Sequence, residues 1–297
     1  MFDWDDLKVF IAAARTGSLT AAAQRLGVDA ATVGRRVSRL ESALKSTLLA
    51  RSPSGLQLTA AGAQLLVIAL DAETAMEAAA QVTRPDVMAG TVRISASEGF
   101  GATILAPALP DLAATRPGLR IELAASAGFL SPGRREVEMA ITLSAPDDAR
   151  LIVEPLTPYQ LALYAAPAYL ARKPAPRAVA DLRDLDIVGY VDDLIYAPEL
   201  RYLDEVLPGL TARLASSSIR AQREIVAAGG GVGVLPCFMA QGLTRVLDDE
   251  VLIERRFWLS TRRDVHDTAR LRAVRTWIKA LCVDEAGRLS PYGQDRR

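Results

Sequence analysis

The sequence predicts an α/β chain in three parts: a mostly helical N-terminal module, one long helix, and a larger region where strands and helices alternate. Three observations carry this. Apolar residues recur at helical spacing through the first 44 positions and are followed by a short hairpin pattern. From Thr59 a narrow apolar seam advances by three or four residues to about Thr83. From Thr91 the rhythm shortens to strand-like runs separated by helical stretches, the pattern of an α/β sheet.

The elements follow in order. Leu7, Phe10, Ile11 and Ala14 form one apolar helix face, and Thr16-Gly17 stops it. Ser18 or Thr20 can cap a second, Ala-rich helix over 19–26, which Gly27 ends. Asp29 is a strong cap for a third helix beginning at Ala30. That helix turns Val33, Val37, Leu40 and Leu44 inward and leaves Arg35, Arg36 and Arg39 outside the stripe. Over 48–58, Ser52-Pro53-Ser54-Gly55 between two apolar pieces predicts a hairpin. In the long helix, Leu65, Ile68, Ala72, Ala75 and Ala79 make a seam suited to pairing with another helix. Arg84-Pro85-Asp86 and Gly90 mark a linker. The expected domains are therefore 1–58, a linker helix and hinge over 59–89, a region over 90–283, and a polar, frayed tail over 284–297.

Within 90–283, strands are expected at 91–97, 119–124, 138–143, 161–164, 187–190 and 233–235, with helices near 102–115 and 219–228. Such alternation predicts a parallel-type sheet with short crossovers.

The formal net charge is zero, so the chain as a whole is no polycation. The distribution is uneven: Arg35, Arg36, Arg39, Lys45 and Arg51 stand against the single acid Glu41 between positions 34 and 51. The acidic N-terminus lacks a secretory pattern, and no apolar run approaches the roughly 18 residues of a membrane span. The two cysteines, Cys237 and Cys282, are far apart, so neither a disulfide scaffold nor a zinc site is expected. A cytoplasmic protein without metal or cofactor is the expectation.

The N-terminal module carries the sharpest functional signal. A helix-turn-helix sets its second helix in the DNA major groove, with base contacts near that helix's N-terminus. The candidate DNA contacts are Ala30, Ala31, Thr32, Arg35, Arg36 and Arg39 on that helix, with Arg51, Ser52 and Ser54 in the hairpin reaching the flanking backbone. A solvated basic face is the competing reading, but turn, caps, basic helix and hairpin together favour DNA. Two helix starts offer N–H groups to an anion: Ser97-Glu98 after the strand at 91–97, and Ser217 before Ile219. For any one serine, simple capping is the competing reading. Ala228-Gly229-Gly230-Gly231-Val232-Gly233 lacks the dinucleotide spacing and follows a helix, so it is expected to be a turn into a buried strand. His266 is expected at the surface and Cys237 as a plain buried thiol. Trp258 reads as core or strand packing, and Arg255, Arg256, Arg262 and Arg263 as a solvated face.

Residues 4–66, through LKVFIAAARTGSLTAAAQRLGV, VGRRVSRLE and LLARSPSGLQLTAAG, resemble the winged helix-turn-helix of the LysR-type transcriptional regulators. The stretch from Gly90 to about Leu281 resembles that family's effector-binding domain through GTVRISASEGFGATILAPALPDLAATRPGLRIEL, EMAITL, LALYAAPAYLA and AAGGGVGVLPCF. The family's usual Ser-Gln-Pro at the start of the reading helix is Asp29-Ala30-Ala31 here, its frequent serine is Gly34, and its hairpin Arg-Gly is Ser54-Gly55. The resemblance implies two periplasmic-binding-protein-like lobes with an effector cleft between them. Ser126, Thr142 and Tyr190 would join Ser97, Glu98 and Ser217 in lining it. It also implies a dimer through the linker helix, often paired into a tetramer, acting on promoter DNA with RNA polymerase as a further partner. Glu98 in the first cleft loop opposes a carboxylate ligand unless it is paired, which leaves the effector's charge open. An α/β enzyme or solute binder fused to a DNA module, and an architectural DNA binder, are the competing classes. No triad, metal cluster or phosphate loop in the sequence supports catalysis.

Overall fold

A computed structural model describes residues 2–52, 55–82, 88–126, 132 and 137–292. The chain divides into two compact units, Met1–Pro85 and Asp86–Arg297.

The first unit contains α1 (Trp4–Thr16), α2 (Leu19–Leu26), α3 (Ala30–Leu44), the hairpin β1 (Leu49–Ser52) and β2 (Gly55–Leu58), and α4 (Ala60–Val82). The caps are those the sequence implies. Ser18 accepts from Ala21 N, Asp29 accepts from Thr32 N, and Gly17 and Gly27 close α1 and α2 at positive φ. Phe10, Ile11, Leu40 and Leu48 are fully buried together, while Ala13, Ala22 and Val33 build the contact between α1, α2 and α3. The hairpin is tied down at three points. Leu48 N and Leu49 N both donate to the Glu41 carboxylate, Leu56 N donates to Gly17 O, and Thr59 Oγ1 donates to Thr47 O.

α4 does not use its apolar residues as one seam. Leu65, Leu66 and Leu70 pack with the fully buried Ala69 against the core of their own unit. Val67 and Ile68 lie on the opposite side and are 64% and 65% exposed. Of the predicted seam, Ile68 faces out as expected, whereas Leu65 is drawn inward because α1 offers it an apolar surface.

The second unit is built on β3 (Gly90–Ser97), β4 (Leu119–Ser126), β5 (Met139–Thr142), β6 (Leu151–Ala165), β7 (Ile187–Gly189), β8 (Leu214–Ala215), β9 (Val232–Pro236), β10 (Thr244–Val246) and β11 (Ile253–Arg262). Between β3 and β4 the chain is helical from Glu98 to Thr115: α5 (Glu98–Phe100), a π-helical stretch Gly101–Leu105, and α6 (Ala106–Thr115). The remaining α-helices are α7 (Pro167–Leu170), α8 (Tyr202–Val206), α9 (Ile219–Ala227), α10 (Ala269–Asp284) and α11 (Ala286–Leu289).

The sheet is mixed, which corrects the parallel-type expectation. Its order is β4-β3-β5-β11-β6-β9-β7-β8, with β10 on β6. Two parallel wings, β4-β3-β5 and β9-β7-β8, are joined through the antiparallel pair β6–β11. The wings have the continuous apolar strands of sheets covered on both faces, as in the fully buried β9. β6 is 15 residues long and runs through both wings, so the expected strand at 161–164 is only its end. Its pairing with β11 slips at Phe257/Trp258, opposite Thr157 and Pro155, a bulge that bends the long strands where they pass from wing to wing. Pro155 and Pro158 lack the N–H a regular ladder needs, which suits this passage.

Two further expectations fail here. Arg262 is not solvated: it sits 7% exposed in the central strand β11, where Asp264 receives its Nε and Nη2 at 3.1 and 2.5 Å. Nor is the chain frayed directly after Val283. Leu289 is fully buried, and Tyr292 docks on β6 by exchanging hydrogen bonds with Gln160, its ring stacked under Arg245 at 3.8 Å. His266 is half-buried and lies 2.8 Å from the Arg275 guanidinium.

Candidate nucleic-acid interface and ligand pocket

The start of α3 is a small network of side chains. Asp29 Oδ1 accepts from Thr32 N at 2.7 Å, and Oδ2 accepts from Thr32 Oγ1 at 2.7 Å. Thr32 Oγ1 in turn accepts from Arg35 Nη2 at 2.9 Å. The chain Asp29–Thr32–Arg35 holds an exposed guanidinium over the first turn of the helix. The Thr32 side-chain and backbone hydrogen bonds keep the Asp29 carboxyl below its ordinary 3.8. With its folded value lowered, Asp29 contributes stability at neutral pH and loses it only as the pH falls below about 3.8 through the folded value. Asp29→Ala is therefore expected to lower the melting temperature at pH 7 and to show a smaller deficit at pH 3. An equal deficit at both pH values would show that the carboxylate is not the stabilising group.

The three arginines of α3 do not behave alike. Arg39 Nε and Nη2 grip Asp6 of α1, each at 2.5 Å, and the Asp6 carboxylate is only 1% exposed. A bidentate partner is what a buried carboxylate requires. Arg39 thus holds the buried Asp6 carboxylate while its own side chain stays 60% exposed, and the hydrogen bonds and charge of Asp6 raise its already high pKa. The pairing with Asp6 is an added role that the sequence reading did not assign to Arg39. The signal was present in the sequence: Asp6 sits four residues before Phe10 on the buried stripe of α1, where a carboxylate needs a cation. Arg36 stands 3.9 Å from Asp5, a looser pair at the surface. Arg35 is exposed. Ala31 is also exposed, Thr32 is half-buried, and Ala30 packs partly into the core of the unit, so its backbone and not its side chain faces outward. Arg51 and Ser52 lie in β1, with Arg51 opposite Leu56 and Ser52 opposite Gly55; Ser54 falls outside the described residues.

The second unit holds a pocket with space of about 440 Å³, its open mouth included. Ser97, Glu98, Tyr190 and Ser217 line it, so four of the six expected ligand residues come together. Ser126 and Thr142 end β4 and β5 without reaching this lining. Ser126 is exposed beside Ser97 across the β3–β4 pair, and Thr142 turns its hydroxyl back onto Ser144 O at 2.7 Å. Leu143, one residue on, takes the place expected for Thr142.

Most of the wall is aromatic and was not anticipated. Phe257 on β11 stacks on Tyr159 of β6 at 4.1 Å and meets Phe100 of α5 at 4.6 Å. Tyr190 and Tyr202 meet edge to face at 5.9 Å, and Tyr196 and Phe238 complete the rings. These residues come from distant positions, and only the pairing of β6 with β11 joins them. Burial raises the phenol of Tyr196 to about 12 and carries those of Tyr159, Tyr190 and Tyr202 higher, so all four are neutral at physiological pH.

The expected anion seats are used by the protein. Glu98 Oε1 accepts from Ser218 Oγ at 2.8 Å, and Oε2 accepts from Ile219 N at 3.0 Å. Ser218 also caps α9, accepting from Ala221 N at 3.1 Å. The start of α9 therefore holds the chain's own carboxylate. Ser97 is buried at the end of β3 and makes no side-chain cap for α5. No cluster of metal-ligating side chains and no helix long and apolar enough to cross a membrane occurs among the described residues.

Comparison with known proteins agrees with both units. The family model "LysR substrate binding domain" matches residues 85–283, and "Bacterial regulatory helix-turn-helix protein, lysR family" matches residues 4–63. The chain is 29% identical to the Mau operon transcriptional activator of Paracoccus denitrificans over 95% of this chain and 97% of that one. It is 26% identical to the HTH-type transcriptional activator TtdR of Escherichia coli, over 95% and 94% of the two chains. In fold it is similar to a full-length OxyR variant of Pseudomonas aeruginosa, with a TM-score of 0.74 at 20% identity, covering 100% of this chain and 99% of that one. With both of its units matched by the family's own domains, the chain belongs to the LysR family of transcriptional regulators, pairing a helix-turn-helix DNA-binding domain with a substrate-binding domain.

Proposed function

We propose that the protein binds operator DNA through the start of α3 and that a small molecule in the aromatic pocket modulates this binding. The observation that carries the DNA reading is Arg35, exposed and pre-positioned by Thr32 and Asp29 at the tip of the helix. A guanidinium in that place can pair bidentately with guanine or phosphate. Arg36 and the β1–β2 hairpin with Arg51, Ser52 and Ser54 would hold the flanking backbone. The protein acts as a homodimer through α4, which leaves Val67 and Ile68 exposed on the side away from the unit's own core and Met76 exposed further along the helix. Two dimers would pair into a tetramer, and RNA polymerase is the further partner at the promoter. The role is regulatory and not catalytic, and the protein works in the cytoplasm. Effector control requires that the ligand prefer one arrangement of the wings, which the bent β6–β11 pair connects.

Arg35→Ala is expected to weaken binding to the protein's own promoter roughly 10-fold or more in a gel-shift assay, the usual cost of one good base or phosphate pair. Circular dichroism should stay unchanged, since Arg35 bonds only within its own helix turn. Undiminished affinity would remove Arg35 from the interface.

A further inference from the structure

We propose that the effector is a neutral or cationic molecule of single-ring size, and that the pocket rejects organic anions. This rests on the reading of the pocket as the effector site and adds the ligand's chemical class.

Three observations point the same way. First, among the described residues the only charged one in the lining is an acid, Glu98. Among the described residues no lysine or arginine lines the pocket; the Arg255 guanidinium, which acts on Tyr159, is bonded to Glu205 and lies outside the lining. Second, the backbone N–H at the start of α9, the natural seat for a ligand carboxylate, already donates to Glu98, and the neighbouring Ser218 hydroxyl does the same. An entering anion would meet a like charge, with the nearest donors taken. Third, apart from Ser97 and Ser217 the remaining wall is made of aromatic and aliphatic surface. Rings of this kind bind flat apolar groups by stacking and cations over their faces.

Beside the Ser97 and Ser217 hydroxyls, Tyr202 offers a polar handle. Tyr202 is 2% exposed, and its hydroxyl has only the adjacent Tyr190 phenol as a polar neighbour, with no hydrogen bond of good geometry among the described residues. A buried hydroxyl left without a partner is costly. A ligand bearing one hydroxyl or amino group would satisfy it, and a hydrocarbon would not.

The test uses the full-length protein and two scaffolds, benzyl and 4-hydroxybenzyl, each as alcohol, amine and carboxylate. Binding is read by saturation-transfer NMR at millimolar ligand and then by titration. The alcohols and amines are expected to bind, and the matched carboxylates to bind roughly 100-fold more weakly, the scale of one unscreened like charge. Glu98→Gln keeps the shape and removes the charge. It should narrow the gap between each carboxylate and its matched alcohol by at least about 10-fold. Tyr202→Phe should weaken the alcohols several-fold. A carboxylate that binds the wild type as tightly as its alcohol would overturn the assigned class and leave the pocket as effector site intact. Absence of binding by all six probes to both wild type and Glu98→Gln would overturn the effector-site reading itself, and the class with it.

Discussion

Gly231→Ala is expected to cost roughly 2–6 kcal/mol of stability, from a strained backbone angle and a steric clash of about 1–3 kcal/mol each. Gly231 has a φ of 147°, which side-chain-bearing residues rarely adopt. A Cβ there would stand 2.1 Å from Asp186 O and 2.8 Å from Asp186 C. Neither backbone can retreat. Val232 N donates to that same Asp186 oxygen at 2.8 Å, and β7 is held between β8 and β9. The variant should accumulate as insoluble protein or melt far below the wild type. Gly287→Ala is the control, because nothing lies within 4 Å of its Cβ position. Equal melting temperatures for the two variants would refute the close approach of the chains at Gly231.

Phe257→Ala should destabilise the second unit by about 3–5 kcal/mol, the cost of removing a large buried ring. Phe257 is 2% exposed and touches the Tyr159, Phe100 and Phe238 rings. These come from β6, from α5 and from the turn after β9, so one ring links three parts of the unit. It also sits at the bulge where β11 slips against β6. The loss is read by urea denaturation followed by circular dichroism. A cost below about 1 kcal/mol would mean that the ring cluster can collapse around the gap, contrary to close-packed interiors.

Much of the first unit was legible in the sequence because its contacts are local. Caps at Ser18 and Asp29, stops at Gly17 and Gly27, and the 3.6-residue stripes of α1 and α3 all act within a few residues. The same locality made Asp29 readable as a cap. The ion pair of Arg39 was not legible because its partner, Asp6, lies 33 positions earlier. Position on a helix face tells which side a side chain leaves from; it does not tell what waits there. Arg35 and Arg39 are both off the apolar stripe, yet one is held by its own helix and the other by α1.

In the second unit the positions of most strands could be read, but their directions and order could not. β6 and β11 are separated by some hundred positions and pair antiparallel, and that pairing turns a parallel expectation into a mixed sheet. It also buries Arg262, which composition alone placed in solvent. The pocket followed the same rule. Ser97, Glu98 and Ser217 were found because they stand at helix starts, a local signal. The ring cluster was missed because Phe100, Tyr159, Tyr202 and Phe257 carry no common motif.

By itself, then, the sequence determined the helix-turn-helix with its hairpin, the long helix that follows, and the alternating region beyond, because hydrogen-bonded turns and apolar periodicity are short-range properties. Only the tertiary structure decided which partner holds each arginine of α3 and which side chains form the pocket. It also decided that the anion seat at α9 is filled by Glu98, from a residue 121 positions earlier. Charges and hydrogen-bond donors are satisfied by whatever lies within about 3 Å, and that neighbour is set by the packing of the chain and not by its order.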